Sequence, residues 1–413
     1  MANDYYDTLI VGGGAAGITV AASLRRRVGN GNHSIGVIEP SSSHYYQPAF
    51  TLVGAGALSL ESTRRDTSSL IPKGVTWIKD RCSNIDPANN KVQLDSSNKL
   101  SYKHLVVCTG IELNWDKIEG LANAVGKGGV CSNYSPETVE STLRSIHSLK
   151  PGDNAIFTQA PLPFKCPGAP QKIAYLTADY LSKNKIRDKV SISFNTHGPS
   201  IFGVPYFAER LVPIAERHGI AVNYQKNLVA VDSEASEAEF EYVGEDRNGE
   251  KVVEKFNMLH VTPPQSPPAF IRESALANDG GYVDIDQHSM RSTKFNNVFA
   301  LGDVGSSPNS KTAAAIRKQA PVVVKQILAD LEGTSSNAAY DGYGSCPLTT
   351  AFGKTMIAEF VYGGKVTPTL PLNPGKEYGV YWWVKKTGLP LMYWHYMLKG
   401  YEAFPKHNTS FVG

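Results

Sequence analysis

The sequence predicts an α/β chain with two Rossmann-like dinucleotide-binding units and a distinct C-terminal region. Three observations carry this. A glycine-rich junction, Gly12-Gly-Gly-Ala-Ala-Gly17, joins a strand-like run to a helix-like run. Near residue 300, another strand-like run ends in Gly302-Asp303 and leads into a long helical pattern. Between them, a third strand–loop–helix pattern carries Cys166 where such a junction ordinarily holds glycines. The chain has 413 residues, room for two or three domains.

Residues 7–11, Asp-Thr-Leu-Ile-Val, have the continuous apolar character of a buried parallel strand. Gly12, Gly14 and Gly17 follow with GxGxxG spacing and open a helical pattern. Gly12 permits the tight turn, Gly14 lets backbone approach a pyrophosphate, and Gly17 lets the helix pack on the strand. The helix N-terminus offers N–H groups and positive potential to phosphates. A second strand, 34–39, ends in Glu39, placed to accept hydrogen bonds from a ribose diol. Residues 103–110 read as a strand ending in Thr109-Gly110, and 296–303 as one ending in Gly302-Asp303. A Gly-Asp end in that position suits a carboxylate bonding ribityl hydroxyls. The helix pattern at 310–331, with Ser310 as its expected cap, would aim its positive end at the flavin ring, where charge accumulates on reduction. Together these elements indicate FAD.

The intervening segment repeats the frame without the cradle. Residues 154–158 read as a strand, and 169–184 as a helix with an apolar stripe of Ile173, Leu176, Thr177, Tyr180 and Leu181. Their connection, Gln-Ala-Pro-Leu-Pro-Phe-Lys-Cys-Pro-Gly, is stiffened by prolines and has no GxGxxG. The next strand, 189–196, ends without a charged ribose reader, so no nicotinamide site is expected. The expected organisation is a discontinuous FAD domain at 1–116 and 266–335, a second Rossmann-like domain at 117–265, and a C-terminal region at 336–413.

Composition excludes several classes. Lys plus Arg number 41 and Asp plus Glu 38, a net charge of +3, so nucleic acid is not an expected partner. The Arg25–Arg27 cluster reads as a solvated helix face. No apolar run is long enough to cross a bilayer, and no apolar leader is visible. The five cysteines show no CxxC spacing and indicate no zinc. Cys166 and Cys346 alone precede a proline, in Phe-Lys-Cys-Pro-Gly and Gly-Ser-Cys-Pro-Leu. A single cysteine is usually a small buried hydrophobe; two Cys-Pro sites beside a flavin point instead to redox chemistry.

The segments at 46–57, 164–173, 259–268, 310–315 and 340–350, of which 164–173 is Phe-Lys-Cys-Pro-Gly-Ala-Pro-Gln-Lys-Ile, are similar to those of the sulfide:quinone oxidoreductases, mitochondrial-type branch. The similarity spans essentially the whole chain. It implies a disulfide-reductase-like flavoprotein with FAD, a redox pair at Cys166 and Cys346, and a membrane quinone as electron acceptor. It further implies that Ala15, Ala16 and Gly17 touch the pyrophosphate, Glu39 binds ribose, and Cys82 meets the adenine through its backbone. Gln47 and Gly110 would lie at the flavin, and Asp303 with Lys311, Thr312, Ala313 and Ala314 would hold the ribityl chain and ring. Sulfide would open a Cys166–Cys346 disulfide, leaving the persulfide on Cys346 and the thiolate Cys166 facing the flavin. A small acceptor would then remove the sulfane sulfur. Cys131 falls near a third working cysteine of bacterial members, whereas an unreactive cysteine is the plainer reading. Lys165, His197 and His260 could assist with charge or protons, each with a simpler structural role.

Residues 378–404 are rich in aromatic and basic side chains, among them Tyr381, Trp382, Trp383, Tyr393, Trp394 and Tyr396 with Lys385, Lys386 and Lys399. Gly388 and Pro390 are expected to split the stretch into two short helices lying in a membrane interface. This suits a monotopic protein of the mitochondrial inner membrane or a bacterial plasma membrane; a helical pair packed on the core or in a homodimer contact is the competing use. Alternative activities are a sulfide-oxidising flavoprotein paired with a cytochrome, a type II NADH:quinone oxidoreductase, and a FAD-bound interaction protein.

Overall fold

The structure, a computed structural model, describes residues 4–29, 31, 33–402 and 411. Tyr5–Val11, Ile35–Ile38, Thr76–Ile78, Lys99–Val107 and Val298–Ala300 form the parallel part of one sheet. Leu9, Ile10, Val37, Val106 and Phe299 are fully enclosed. These strands are covered on both faces, which is why they read as continuous apolar runs rather than alternating ones. Antiparallel strands Cys82–Asp86 and Lys91–Leu94 extend the sheet beyond the start of Lys99–Val107. The first helix, Ala15–Val28, and the long helix Ala313–Glu332 pack against each other and share the core beneath this sheet. Thr312 caps the long helix, its hydroxyl accepting from the Ala315 N–H at 3.2 Å, two residues beyond the expected cap Ser310. Within the Arg25–Arg27 cluster, Arg25 is buried: it donates to the Gly29 and His33 carbonyls at the C-terminal end of its helix, a stabilising place for a cation.

The second sheet is wholly parallel, in the order Val130–Cys131, Met258–His260, Asn154–Gln159, Ser191–Thr196, Ala221–Tyr224. Ala169–Lys183 crosses over between two of its strands, with Ile173, Leu176, Thr177 and Leu181 buried and Tyr180 at the margin of the expected stripe. A three-stranded antiparallel sheet, Lys226–Asp232, Glu237–Tyr242 and Lys251–Lys255, follows in the same segment.

The C-terminal region is built into both preceding units. The hairpin Gly344–Ala351 and Lys354–Phe360 packs on Ala169–Lys183. Beyond it, Gly379–Trp383 and Leu389–His395 are joined through a wide π-type turn at Val384–Gly388. Gly388 and Pro390 therefore do not split the segment. Pro390 has no N–H for the α-helical ladder, and the turn widens instead of breaking. Tyr393 and Trp394 enter the first core, and the Tyr393 hydroxyl meets His44 Nε2 at 2.6 Å.

A Cβ added at Gly17 would stand 1.9 Å from the Gly12 carbonyl oxygen, whereas one at Gly14 would meet nothing within 4 Å. Gly17 is thus a helix-on-strand contact, and Gly14 keeps a clearing open. Gly17→Ala is expected to destabilise the protein by about 3 kcal/mol or more, through backbone displacement. Gly14→Ala should leave the melting temperature nearly unchanged while weakening dinucleotide binding, as thermal denaturation and cofactor titration will read.

Candidate functional site

A cavity of about 770 Å³ runs between the first sheet, the second unit and the C-terminal helices. At one end lies the glycine junction. Gly12 has φ 102°, and the space a Cβ would take there is filled by the Cys108 carbonyl at 2.5 Å. Gly13 N–H donates to Glu39 Oε2 at 2.9 Å and Ser41 N–H to Oε1 at 2.7 Å, fixing the carboxylate at the cavity wall. Gly14, Ala15 and Ala16 line the cavity at the start of their helix; Gly17 does not, being turned against Gly12. Further along are Gln47, Gly110, Asp303 and Lys311, then Thr312, Ala313 and Ala314 at the N-terminus of the long helix. Burial raises the Asp303 carboxyl pKa, against the pull of Lys311. The Lys311 ammonium is turned to the carbonyls of Asp303 at 2.7 Å and Gly305 at 3.0 Å, and burial brings its pKa down to about 8. A glycine-lined turn, a preset ribose acceptor, a second buried carboxylate and a helix end along one cleft fit FAD.

Cys166 and Cys346, 180 positions apart in the chain, meet in the same cavity. Cys166 precedes Ala169–Lys183, and Cys346 lies on Gly344–Ala351. Cys166 adopts φ 51°, a left-handed conformation rare for a residue with a Cβ. It is held there by its N–H on the Lys311 carbonyl at 2.9 Å and by the Tyr134 hydroxyl donating to its own carbonyl at 3.2 Å. Two residues on, a Cβ at Gly168 would lie 2.6 Å from Cys346 Sγ. The glycine of the Cys-Pro-Gly junction thus makes room for the second sulfur.

The ammonium of Lys172 sits between the sulfurs, Nζ 3.2 Å from Cys166 Sγ and 3.8 Å from Cys346 Sγ. Lys172 is 1% exposed, so its charge has no solvent to balance it. Burial works against that charge, and the two sulfurs outweigh burial and raise its pKa. Both thiols are free and hydrogen-bonded to each other. The bond from Cys346, against the effect of burial and with help from Lys172 and Lys385, holds Cys166 well below the ordinary thiol range. The same bond, and then burial, push Cys346 well above it. The arrangement is a thiolate on Cys166 and a thiol on Cys346. Lys385, in the π-type turn, is also buried; its Nζ donates to the Pro48 carbonyl at 2.5 Å. Burial and the neighbouring Lys172 bring its pKa down to about 7, so its charge changes near neutrality.

Lys165 also lines the cavity, its Nζ donating to Gln47 Oε1 at 2.9 Å. The other cysteines stand elsewhere. Cys131 lies in the core of the second sheet, outside the cavity lining, and burial raises its pKa to about 12. Cys82 is also outside the lining; its sulfur lies 3.6 Å from the Asn84 carbonyl and its pKa is pushed up to about 12 by burial. Cys108 is buried and touches the cavity near Gly12. Neither His197 nor His260 lines the cavity; burial brings His260 down to about 3, and its Nε2 accepts from the Asn133 N–H at 3.1 Å.

Sequence reasoning singled out Lys165 and Lys311 but passed over Lys172. The signal was present: Lys172 falls one helical turn before Leu176, inside the apolar stripe, where a lysine has to find a buried partner. Lys385 likewise follows Tyr381 by one turn. Replacing Lys172 with Met removes the cation nearest the thiolate. In the reduced protein the Cys166 pKa should then rise by roughly one pH unit or more, read as a shift to higher pH in the rate of iodoacetamide alkylation. Lys172→Arg should restore part of the effect, and an unchanged profile in Lys172→Met would remove the electrostatic role.

Residues 6–145 match the pyridine nucleotide-disulphide oxidoreductase family. The chain is 44% identical over 393 residues to the mitochondrial sulfide:quinone oxidoreductase of Dictyostelium discoideum, covering 95% of this chain and 86% of the relative. With the corresponding Mus musculus protein it is 41% identical over 404 residues, covering 98% and 89%. The crystal structure of the sulfide:quinone oxidoreductase from Aquifex aeolicus superposes with a TM-score of 0.80 at 20% identity, over 96% of this chain and 92% of that one, which establishes the shared fold. With identity at this level along nearly its full length, the chain belongs to the sulfide:quinone oxidoreductase family.

Proposed function

We propose that this protein oxidises sulfide at the Cys166–Cys346 pair and passes two electrons, by way of FAD, to a quinone. The observation that carries this reading is the buried Lys172 ammonium set between the sulfurs of Cys166 and Cys346 in the cavity that also holds the dinucleotide cradle. FAD, when bound, accepts an electron pair from sulfur and delivers it to quinone. Gly14, Ala15 and Ala16 would cradle its pyrophosphate, Glu39 its ribose and Asp303 its ribityl chain, with Ala313 and Ala314 presenting the helix end to the ring. The loop at 159–168 has a single glycine, Gly168, and no GxGxxG pattern of the kind a nicotinamide dinucleotide cradle uses.

The chain's own residues account for the sulfur steps. In the oxidised state the two cysteines form a disulfide. Hydrosulfide attacks Cys346 Sγ, the bond between the cysteines breaks, and Cys166 leaves as a thiolate. Lys172 and Lys385 neutralise that thiolate in a dry setting, which makes Cys166 the better leaving group and Cys346 the persulfide carrier. A nucleophilic acceptor then attacks the outer sulfur of the persulfide, and Cys346 leaves as a thiolate. Oxidation of the two thiolates re-forms the Cys166–Cys346 bond, and the electron pair it releases is the one that FAD, when bound, would take up with a proton from solvent. Atoms and charges balance with one hydrosulfide, one acceptor and one electron pair per cycle.

The outer face of the C-terminal helices supports contact with a mitochondrial membrane, where a lipid-soluble quinone resides. Val380, Trp383, Leu391 and Tyr396 are about half exposed there, with Lys399 beside them. No helix among the described residues is long and apolar enough to cross a bilayer, so this face would lie on the surface.

Two outcomes test these readings. Cys166→Ser and Cys346→Ser should each abolish sulfide-dependent bleaching of the flavin under anaerobic conditions, by at least about 10³-fold, with NADH inactive in all forms; bleaching at a near wild-type rate in either variant would defeat the cysteine scheme. Trp383→Glu with Leu391→Glu should release the protein from liposomes in a flotation assay while leaving sulfide-dependent bleaching intact.

A further inference from the structure

The hairpin that carries Cys346 has two faces, and the sulfur chemistry uses one of them. Its register pairs Ser345 with Glu359, Cys346 with Ala358 and Pro347 with Ile357. Alternation along a strand therefore sends Cys346, Leu348, Met356 and Ala358 to one side, and all four join the core of the second unit. Ser345, Pro347, Ile357 and Glu359 go to the other side, and all four line the cavity. That lobe is closed by apolar side chains, among them Leu370, Val384, Leu389 and Met392, the last three from the C-terminal helices. This apolar stretch of the cavity wall, against the C-terminal helices and in the same cavity as Cys346, suits a quinone ring and tail.

Beside these apolar side chains the cavity lining includes the carboxylate of Glu359, 7% exposed. Its Oε1 accepts from the Tyr343 hydroxyl at 2.5 Å and from the Thr369 hydroxyl at 2.6 Å, and its Oε2 accepts from the Thr369 N–H at 2.8 Å. Tyr343 also lines the lobe, and Arg317 Nη2 donates to its hydroxyl at 3.3 Å. Thr369 is partly exposed, and Leu370 beside it is 38% exposed. The hydroxyls thus form a chain from the surface at Thr369 through Glu359 to Tyr343 at the lobe.

We propose that Glu359, fed through Thr369 and coupled to Tyr343, supplies a proton to the quinone as it is reduced. This deepens the sulfide:quinone reading and rests on it. Quinone becomes quinol by taking up two electrons and two protons. The reduced flavin, when bound, would supply the electron pair and one proton taken up from solvent. One further proton is needed at the second quinone oxygen; it leaves the Glu359 carboxyl, and the carboxylate is reprotonated from solvent by way of Thr369. A buried acid at hydrogen-bond distance from two hydroxyls is suited to such transfer.

The test separates the half-reactions of the FAD-loaded enzyme. In Glu359→Gln, reoxidation of the sulfide-reduced flavin by decylquinone should slow by roughly 10²-fold, with loss of a pH-dependent limb. Reoxidation by ferricyanide, which takes electrons without protons, should match the wild type, as should sulfide-dependent bleaching. A carboxyl C=O band in the redox-difference infrared spectrum of the holoenzyme should disappear in the variant. Tyr343→Phe, which preserves shape, should slow the quinone step alone and decides the matter if Glu359→Gln fails to retain FAD. Quinone reoxidation within about twofold of wild type in both variants would overturn the proposal, as would a parallel fall with ferricyanide, which marks a structural role, or slowing of the sulfur steps instead. If the wild type itself is bleached by sulfide but not reoxidised by quinone, the parent reading fails, and the relay with it.

Discussion

A single buried ammonium organises the centre of this protein. Lys172 is buried, and its hydrogen-bond partners among the described residues are the two sulfurs, which serve as its counter-charge. An uncompensated ammonium in that position would cost several kcal/mol, so the fold is bound to keep Cys166 near it as a thiolate. The requirement propagates outward. Cys166 is held in a left-handed conformation, Gly168 is bare where Cys346 approaches, and the hairpin bearing Cys346 is packed on the helix bearing Lys172. Charge and hydrogen bonding then make two chemically identical thiols unequal, which a directional sulfur transfer needs.

The same centre ties three distant parts of the chain together. The Cys166 N–H bonds the carbonyl of Lys311, next to the helix that faces the flavin. Lys165 reaches Gln47 in the first unit, and Lys385 reaches the neighbouring Pro48 carbonyl from the C-terminal turn. The segment with the exposed aromatic face thus places a cation within influence of the cysteines, and that cation titrates near neutrality. The C-terminal helices, the dinucleotide cradle and the sulfur pair form one electrostatic unit, in keeping with the packing of the C-terminal region into the other two units.

Much of this was legible in the chain. The glycine junction, Glu39 and Gly302-Asp303 were readable because a dinucleotide cradle is local: strand, turn and helix are adjacent in sequence, and their spacing is set by backbone geometry. The Cys-Pro motifs were readable by contrast with the glycines that are absent. Other features depended on contacts with distant residues. Arg25 looked solvated as part of a basic run but caps carbonyls at a helix end. Gly388 and Pro390 looked like a break, whereas packing of Tyr393 and Trp394 into the first core favours a widened turn. Cys131 offered two readings by position, a third working cysteine or an unreactive one, and only the assembled fold shows it buried in the core of the second sheet.

By itself, the sequence determined the class of fold and singled out the glycine junction and the two Cys-Pro sites, because each is encoded in short-range spacing and in residue types whose chemistry is specific. Only the tertiary structure decided how those cysteines differ, which lysine holds them, and which faces of the hairpin meet the sulfur centre and the apolar lobe. The reason is physical. Burial and the field of a neighbouring charge are properties of assembled space, and here they are set by groups contributed from segments nearly 180 residues apart.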